Sequence, residues 1–272
     1  MIRAYHQPKC IDEALSLLKN GAQAVAGATG LYSNRKRVDG ELVDITGLGL
    51  NGIEVKGGAI RLGACVTLTQ LLEADLPGAE GAFLKLVARH ITAHTMRNAI
   101  TLGGNIAHTA FWADMPVALL ALDAQIIIAK AGEAEKTVAI AEALQEASPW
   151  KGGLIKEIIV PVIPGRTFGY ERLSKTKNDY AFVTAASSMI VQDGKANSVR
   201  VVLGAIQPRA FRAAAVEEML EGKVIDEALL AAVAQAAREL PVMPNFRASA
   251  DYRRDVTSAL VRRAVAQAAG QE

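Results

Sequence analysis

The spacing of hydrophobic and polar positions changes repeatedly along the chain, which predicts a mixture of helices and strands. In residues 10–21 apolar side chains recur at helical spacing and Gly21 follows them, so a helix with a glycine cap is predicted. In residues 52–63 apolar and polar side chains instead alternate on both sides of Gly57 and Gly58, a pattern typical of a β-hairpin.

The rest of the chain continues this mixture, with hairpins rather than strictly alternating strand–helix units. Asp114 precedes an apolar run at 116–122 and is predicted to be its N-cap. Prolines and glycines cluster at 150–168, which suggests a domain boundary. The other predicted elements are strands at 23–26, 41–45, 124–129, 182–192 and 198–206, and helices at 67–74, 77–94, 226–239 and 250–268. The expected fold class is therefore α+β.

Composition and charge narrow the classes of function. The chain has 272 residues and a formal charge of +2, and its Lys and Arg are dispersed, so neither a nucleic-acid surface nor membrane insertion is expected. Its two cysteines, Cys10 and Cys65, are too few for an iron–sulfur cluster, which needs about four thiolates. Residues 1–8 lack the apolar core of a signal peptide, so a cytoplasmic location is expected.

Two short segments of small residues are the candidate ligand-binding turns. Residues 24–31 read Ala-Val-Ala-Gly-Ala-Thr-Gly-Leu, and residues 101–105 read Thr-Leu-Gly-Gly-Asn. Glycine allows a ligand to approach closely, and successive backbone amides form concavities suited to a pyrophosphate. Thr29, Thr101 and Asn105 add side-chain donors. Each segment alone is more often structural, and neither fits the dinucleotide pattern G-x-G-x-x-G or the P-loop pattern.

Together with their surroundings, the two segments resemble those of the FAD-binding medium subunits of the molybdenum hydroxylases, the family of xanthine dehydrogenase and aerobic carbon monoxide dehydrogenase. Members of this family carry an early A-G-G-[TH] turn and a later T-[IL]-G-G-N turn. The likeness covers nearly the whole chain in the expected order. Further matching stretches lie at 60–67, 97–98, 113–124, 168–181 and 247–264, the last beginning at Arg247.

The resemblance implies a fold of two FAD-binding subdomains, of the PCMH or CO-dehydrogenase flavoprotein type, followed by a C-terminal α+β domain. The expected domains are 1–56, 57–166 and 167–272. FAD is expected between the two subdomains. The molybdenum cofactor would then lie on a large partner subunit and the iron–sulfur clusters on a small [2Fe-2S] subunit.

The resemblance also assigns roles in holding FAD. The two small-residue segments would surround its pyrophosphate and ribityl chain, and Asp114 would accept a hydrogen bond from it. Ile91 and Ile155 would pack around the cofactor, and Tyr180 would lie against the isoalloxazine and gate access to it. The implied cofactor-binding residues are Ala24, Val25, Ala26, Gly27, Ala28, Thr29, Gly30, Leu31, Ile91, Thr101, Leu102, Gly103, Gly104, Asn105, Asp114, Ile155 and Tyr180.

Several positions depart from the family pattern. Ala28 replaces the second glycine of the first turn, and Gly30 replaces an acidic residue or a serine, so a shifted turn or weaker cofactor binding is expected. Glu171 aligns with a basic residue near the flavin of relatives, with Arg172 beside it, and which of the two faces the cofactor is open.

Other signals have simpler interpretations. His90 and His94 are four apart on a predicted helix, the spacing of a zinc pair, but the Glu of H-E-x-x-H is missing and no metal site is predicted. By residue type alone, Asp114 fits a helix cap as well as a ligand, and Tyr180 fits a core aromatic. No G-x-S-x-G elbow supports a serine hydrolase.

The expected function is electron transfer by an oxidoreductase subunit without catalytic side chains of its own. Substrate would be oxidised at the molybdenum centre, and electrons would pass through the iron–sulfur clusters and this FAD to an external acceptor. Two alternatives stay open, namely a stand-alone flavin oxidoreductase and a flavin-poor scaffold subunit.

Overall fold

The structure is a computed structural model that describes residues 1–33, 39–145, 148–244 and 248–271. Arg247, which begins the closing stretch of the resemblance, lies outside the described residues. Across these ranges no helix combines the length and the apolar character that crossing a membrane requires.

Helices and strands are mixed along the whole described chain, as the α+β prediction requires. In chain order the elements are β1 (Ile2–His6), α1 (Ile11–Lys19), β2 (Gln23–Val25), α2 (Thr29–Ser33), β3 (Gly40–Asp44), β4 (Ile53–Lys56), β5 (Ala59–Gly63), α3 (Leu68–Glu73), α4 (Gly78–His90), α5 (His94–Arg97), α6 (Leu102–Ala107), α7 (Met115–Ala121), β6 (Gln125–Lys130), β7 (Lys136–Ala139), α8 (Ile140–Gln145), β8 (Gly153–Pro161), β9 (Arg166–Ser174), β10 (Ala181–Gln192), β11 (Lys195–Gly204), β12 (Phe211–Arg212), α9 (Ala214–Leu220), α10 (Glu227–Arg238) and α11 (Ala250–Ala268).

The first of two compact units consists of Met1–Leu76, Ala93–His108 and Ala124–Pro161. Its parallel sheet has the order β1-β3-β2, and its antiparallel sheet has the order β4-β5-β8-β6-β7. Helix α1 buries the apolar face that its spacing predicts, and Leu15 and Leu18 pack in one cluster with residues of both sheets. Burial of such an amphipathic face is what holds a short helix in place.

The second unit consists of Pro77–Thr92, Thr109–Asp123 and Val162–Glu272. Its antiparallel sheet has the order β12-β11-β10-β9. Because strand side chains alternate, β10 turns Val183 into the apolar core formed with α9, α10 and α11. Ser188 lies on the opposite face of β10, toward α7, and its hydroxyl donates a hydrogen bond to a carbonyl oxygen of that helix at 2.7 Å.

Helix α7 is held on this sheet by an aspartate at each end. Asp114 pairs with Arg172 of β9 at 3.2 Å. Asp123 pairs with Arg166 of β9 at 3.1 Å and with Arg200 of β11 at 2.7 Å. Asp114 is the N-cap residue of α7, as predicted, but its side chain makes no capping hydrogen bond. The reason is that the arginine of the sheet competes for the same carboxylate.

The hairpin at 52–63 is confirmed, with positive φ at Gly57 and Gly58. The continuous helix predicted at 77–94 is wrong, because Ile91 has extended backbone and Thr92 has a φ of 44°, so α4 ends at His90. The stretch at 100–108, interpreted as a turn, forms the short helix α6. Elements without an assigned pattern in the sequence include β1, β9 and α9. The stretch where a domain boundary was suggested contains the whole of β8.

Candidate functional site

The first small-residue segment leaves β2, turns sharply and enters α2. Gly27 approaches the backbone of Ala99 so closely that a Cβ at position 27 would overlap the carbonyl oxygen of Ala99. Only glycine fits such a backbone contact. Ala28 follows with a φ of 56°, in the left-handed region. The turn therefore keeps a conformation that favours glycine, at a cost of about 1 kcal/mol for an alanine.

The second segment begins a helix. Thr101 is the N-cap of α6, and its side-chain oxygen accepts a hydrogen bond from the amide of Gly104 at 3.2 Å. The amides of Leu102 and Gly103 donate to backbone carbonyls that precede α3, at 2.9 and 2.8 Å. These three amides are bonded within the protein. The expectation that successive amides of this segment are open to a pyrophosphate is therefore corrected.

Two residues of this segment have different structural roles. Gly103 is explained by packing, because a Cβ there would lie 2.6 Å from the Cβ of Ala64. Asn105, in contrast, has a buried side-chain amide atom, Oδ1, without a hydrogen-bond partner. A buried polar atom of this kind costs free energy until a partner satisfies it. A ligand group that donates a hydrogen bond can therefore satisfy Oδ1 of Asn105.

The two segments lie side by side in the first unit. At one end Gly27 contacts the backbone of Ala99, just before α6, and at the other Gly30 contacts His108, the C-cap of α6. A Cβ at position 30 would lie 2.8 Å from Nδ1 of His108. Segments about seventy residues apart in sequence therefore meet along α6, as the resemblance implies.

Unbonded donors gather where the segments meet. Within the described residues, neither the amide of Gly27 nor that of Ala28 donates a hydrogen bond to a protein acceptor. Ala28 is exposed, and Gly27 is partly exposed, so both amides are accessible. They are neutral backbone donors of the kind that holds a phosphate without Lys or Arg. The buried Oδ1 of Asn105 is an acceptor, which a ribityl hydroxyl of FAD can satisfy. The residues present therefore fit the diphosphate of FAD.

Several other predicted cofactor-binding residues of the first unit are buried in the structure. Ala24 and Val25 form the end of β2, and Val25 is buried. Leu102 is fully buried in α6. Ile155 is a buried residue of β8 that pairs with Ile128, so in this unit it is part of the core.

Asp114 belongs to the second unit and lies in a dense polar network. Its carboxylate accepts hydrogen bonds from Arg172, from the hydroxyl of Thr184 at 3.0 Å and from the hydroxyl of Tyr170 at 3.3 Å. Burial raises the pKa of the Asp114 carboxyl, and the three donors oppose that shift. Burial and the neighbouring Asp114 likewise raise the pKa of Tyr170. The network fixes α7 on its sheet, and Asp114 is only 4% exposed.

Tyr180 is a surface residue in the second unit. Its ring is 42% exposed and lies 4.6 Å from the ring of Trp112, which in turn contacts the ring of Phe111. Its interpretation as a core aromatic is therefore wrong. Sequence reasoning missed Trp112, although two adjacent aromatics in a chain that is 5% aromatic are a usable signal. Ile91, the C-cap of α4, is buried.

Glu171 and Arg172, one of which was expected to face the cofactor, have different partners in the structure. The side chain of Arg172 is buried against Asp114, whereas Glu171 lies on the opposite face of β9 and accepts a hydrogen bond from Gln267 at 2.7 Å. His90 and His94, which have the spacing of a zinc pair, lie on different helices, because His90 ends α4 and His94 begins α5. The assumption that both lie on one helix is wrong. Among the described residues no group of three or more potential ligands is placed to hold a metal.

Comparison with known proteins agrees with this arrangement. The family described as the FAD binding domain in molybdopterin dehydrogenase matches residues 1–163, and the CO dehydrogenase flavoprotein C-terminal domain matches residues 168–268. The chain belongs to the FAD-binding medium subunits of the molybdenum hydroxylases. The subunit thus carries the FAD-binding domain of an oxidoreductase family, and its two-domain α+β fold is that of the CO-dehydrogenase flavoproteins.

Individual relatives span the whole subunit. It is 31% identical to the 6-hydroxypseudooxynicotine dehydrogenase complex subunit alpha of Paenarthrobacter nicotinovorans, over 95% of this chain and 91% of the relative. It is 29% identical to the carbon monoxide dehydrogenase medium chain of Afipia carboxidovorans, over 97% and 96%. A solved carbon monoxide dehydrogenase of Hydrogenophaga pseudoflava superposes with a TM-score of 0.93 at 27% identity, over 100% and 98% of the two chains.

Proposed function

We propose that the subunit binds FAD and passes electrons from iron–sulfur clusters on a partner to an external acceptor. The observation that carries the proposal is the meeting of residues 24–31 and 101–108 in one unit, with unbonded donors between them. When bound, FAD would supply a redox group that accepts electrons one at a time and can hold two for the external acceptor.

The side chains of this subunit bind and orient the cofactor. The amides of Gly27 and Ala28 donate to the diphosphate, and Oδ1 of Asn105 accepts a hydrogen bond from a ribityl hydroxyl of FAD, which satisfies the buried oxygen. Thr29 stands beside these amides with a hydroxyl donor. Thr101 acts indirectly, because its cap fixes the first turn of α6. The proposed task of these residues is to bind and position the cofactor.

The remaining predicted contacts are part of the proposal. Ile91, Asp114 and Tyr180 are assigned to the cofactor by the resemblance. For Asp114 the protein already supplies three donors to the carboxylate, so a cofactor group would be a fourth. Tyr180 presents an exposed ring supported by Trp112, which suits an aromatic side chain that shields a flavin.

The partners follow from what this chain lacks. Its two cysteines do not suffice for an iron–sulfur cluster, so the electron donor is placed on a small [2Fe-2S] subunit. Another solved relative, with a TM-score of 0.91 at 27% identity, is described as a Cu,Mo-CO dehydrogenase, which supports a large molybdenum subunit as the site of substrate oxidation. The expected cytoplasmic location of the complex belongs to this proposal as well.

Anaerobic mixing tests the electron transfer. The small subunit of the same complex is reduced, freed of reductant and mixed with this subunit loaded with FAD. We expect the flavin absorbance to fall as the clusters are reoxidised. The matched control is the same subunit stripped of FAD, with which the clusters should stay reduced. A flavin that stays oxidised while the two subunits form a complex would contradict the relay.

The two alternatives predict other results. A stand-alone oxidoreductase would oxidise NADH or an organic substrate with the FAD-loaded chain alone. A flavin-poor scaffold would bind no FAD as purified, and Ala28→Gly would raise its affinity strongly, because the left-handed φ of Ala28 is a strained feature of the turn.

A further inference from the structure

His108 is an ionisable side chain next to Gly30 of the first segment. It is the C-cap of α6 and keeps helical backbone angles. Its ring contacts Gly30 and occupies the space that a side chain at position 30 would need. In residues 24–31 and 101–108 it is the one side chain that can carry a positive charge.

The hydrogen-bonding capacity of this ring is unused. Within the described residues neither nitrogen of His108 has a partner, whereas the rings of His6 and His90 do. The ring is half-buried, and burial lowers the pKa of His108, so at neutral pH it is uncharged and keeps one N–H donor.

His108 also shares a helix face with Asn105. Residues three apart on a helix are neighbours on one face. The contact between His108 and Gly30 shows that this face is turned toward the first segment. The buried Oδ1 of Asn105 and the ring of His108 therefore lie on the side of α6 near the first segment, in which the amides of Gly27 and Ala28 are unbonded.

We propose that His108 is a cofactor-binding residue whose imidazole N–H donates a hydrogen bond to a phosphate oxygen of FAD. This inference rests on the proposed function, since it takes the meeting of the two segments to be the diphosphate site. A phosphate oxygen is a charged acceptor, for which a hydrogen bond is stronger than between neutral groups.

Two substitutions separate binding from packing. His108→Gln keeps an N–H donor near the position of Nε2, and His108→Phe keeps a ring against Gly30 but has no donor. We expect His108→Phe to weaken FAD affinity about 10- to 100-fold and His108→Gln to stay within about threefold of wild type, given the strength of a hydrogen bond to a charged group. FAD titration followed by flavin fluorescence measures both. Equivalent changes at the exposed His94 should leave the affinity unchanged.

Other outcomes have distinct meanings. If Phe preserves the affinity and Gln lowers it, His108 acts by packing and the proposal is overturned; it is also overturned if both variants bind as wild type does. If the wild-type chain binds no FAD, the proposed function fails first. Should either variant unfold, NMR of the wild-type chain with labelled histidine decides. Of its four histidines, His108 should then shift on FAD addition but not on riboflavin addition.

Discussion

Ala28 shows how one side chain strains a ligand-binding turn. Its φ of 56° lies in the left-handed region, where a Cβ crowds the backbone by about 1–2 kcal/mol. Glycine relieves this strain but adds freedom to the unfolded chain, which costs about 0.4–1 kcal/mol. Ala28 is exposed, so no packing is lost on its replacement. The two effects leave a small net gain for glycine.

We therefore predict that Ala28→Gly stabilises the protein by about 0.5–1 kcal/mol, measured as the free energy of unfolding in denaturant. The matched control is Ala134→Gly, at an exposed loop residue without a positive φ. There the entropy of the unfolded chain dominates, and a loss of about 0.5 kcal/mol is expected. Equal losses at both positions would contradict the argument.

At the scale of single residues, only part of the candidate site could be predicted from the sequence. Gly27, Ala28 and Asn105 lie where the glycine-rich motifs suggested, because such motifs report on backbone shape and close approach. Gly103 packs closely on Ala64, and a sequence alone does not distinguish such packing from the close approach of a ligand. His108 was not found, because its relation to Gly30 exists only after α6 has formed.

At the scale of elements, long amphipathic segments were predicted well and short ones were not. The spacing of apolar residues identifies α1, α10 and α11, whose buried faces are part of the apolar cores. Helix α6 has six residues, too few to show a period, and depends on the Thr101 cap. The end of α4 at His90 depends on the backbone of Ile91 and Thr92, which no apolar pattern reveals.

The buried side chain of Arg253 connects helix α11 to neighbouring strand and loop segments. The guanidinium of Arg253 donates hydrogen bonds to the carbonyl oxygens of Phe182, Ala205 and Met243. The residue is 1% exposed, and within the described chain it has no carboxylate partner. Burial accordingly lowers the pKa of Arg253. The backbone carbonyls of three separate segments therefore accept hydrogen bonds from this one side chain.

We predict that Arg253→Met destabilises the protein by about 3 kcal/mol or more, because it leaves buried carbonyls without donors. Arg253→Lys keeps a charge and up to three donors but lacks the planar fork, so about half of the loss is expected. Arg254→Met is the control, since Arg254 is exposed and pairs only with its helical neighbour Asp251. Thermal unfolding of the three variants measures the series, and equal effects at residues 253 and 254 would contradict this role for Arg253.

At the scale of the whole molecule, the candidate FAD site couples distant parts of the chain. The first unit is built from three separate stretches of sequence, and the two segments that meet at α6 come from two of them. A ligand that bonds to both segments binds only when both stretches are folded. Ligand binding of this kind must raise stability by mass action.

We therefore predict that FAD at about one hundred times its dissociation constant adds about 2.7 kcal/mol to the free energy of unfolding. For domains of this size the midpoint of thermal unfolding should rise by about 5–10 °C. Riboflavin is the matched control, because it carries the isoalloxazine and ribityl chain but no diphosphate. If the donors around Gly27 hold the diphosphate, riboflavin should shift the midpoint far less. An equal shift with riboflavin would mean that these donors contribute little and that the flavin is held by its ring alone.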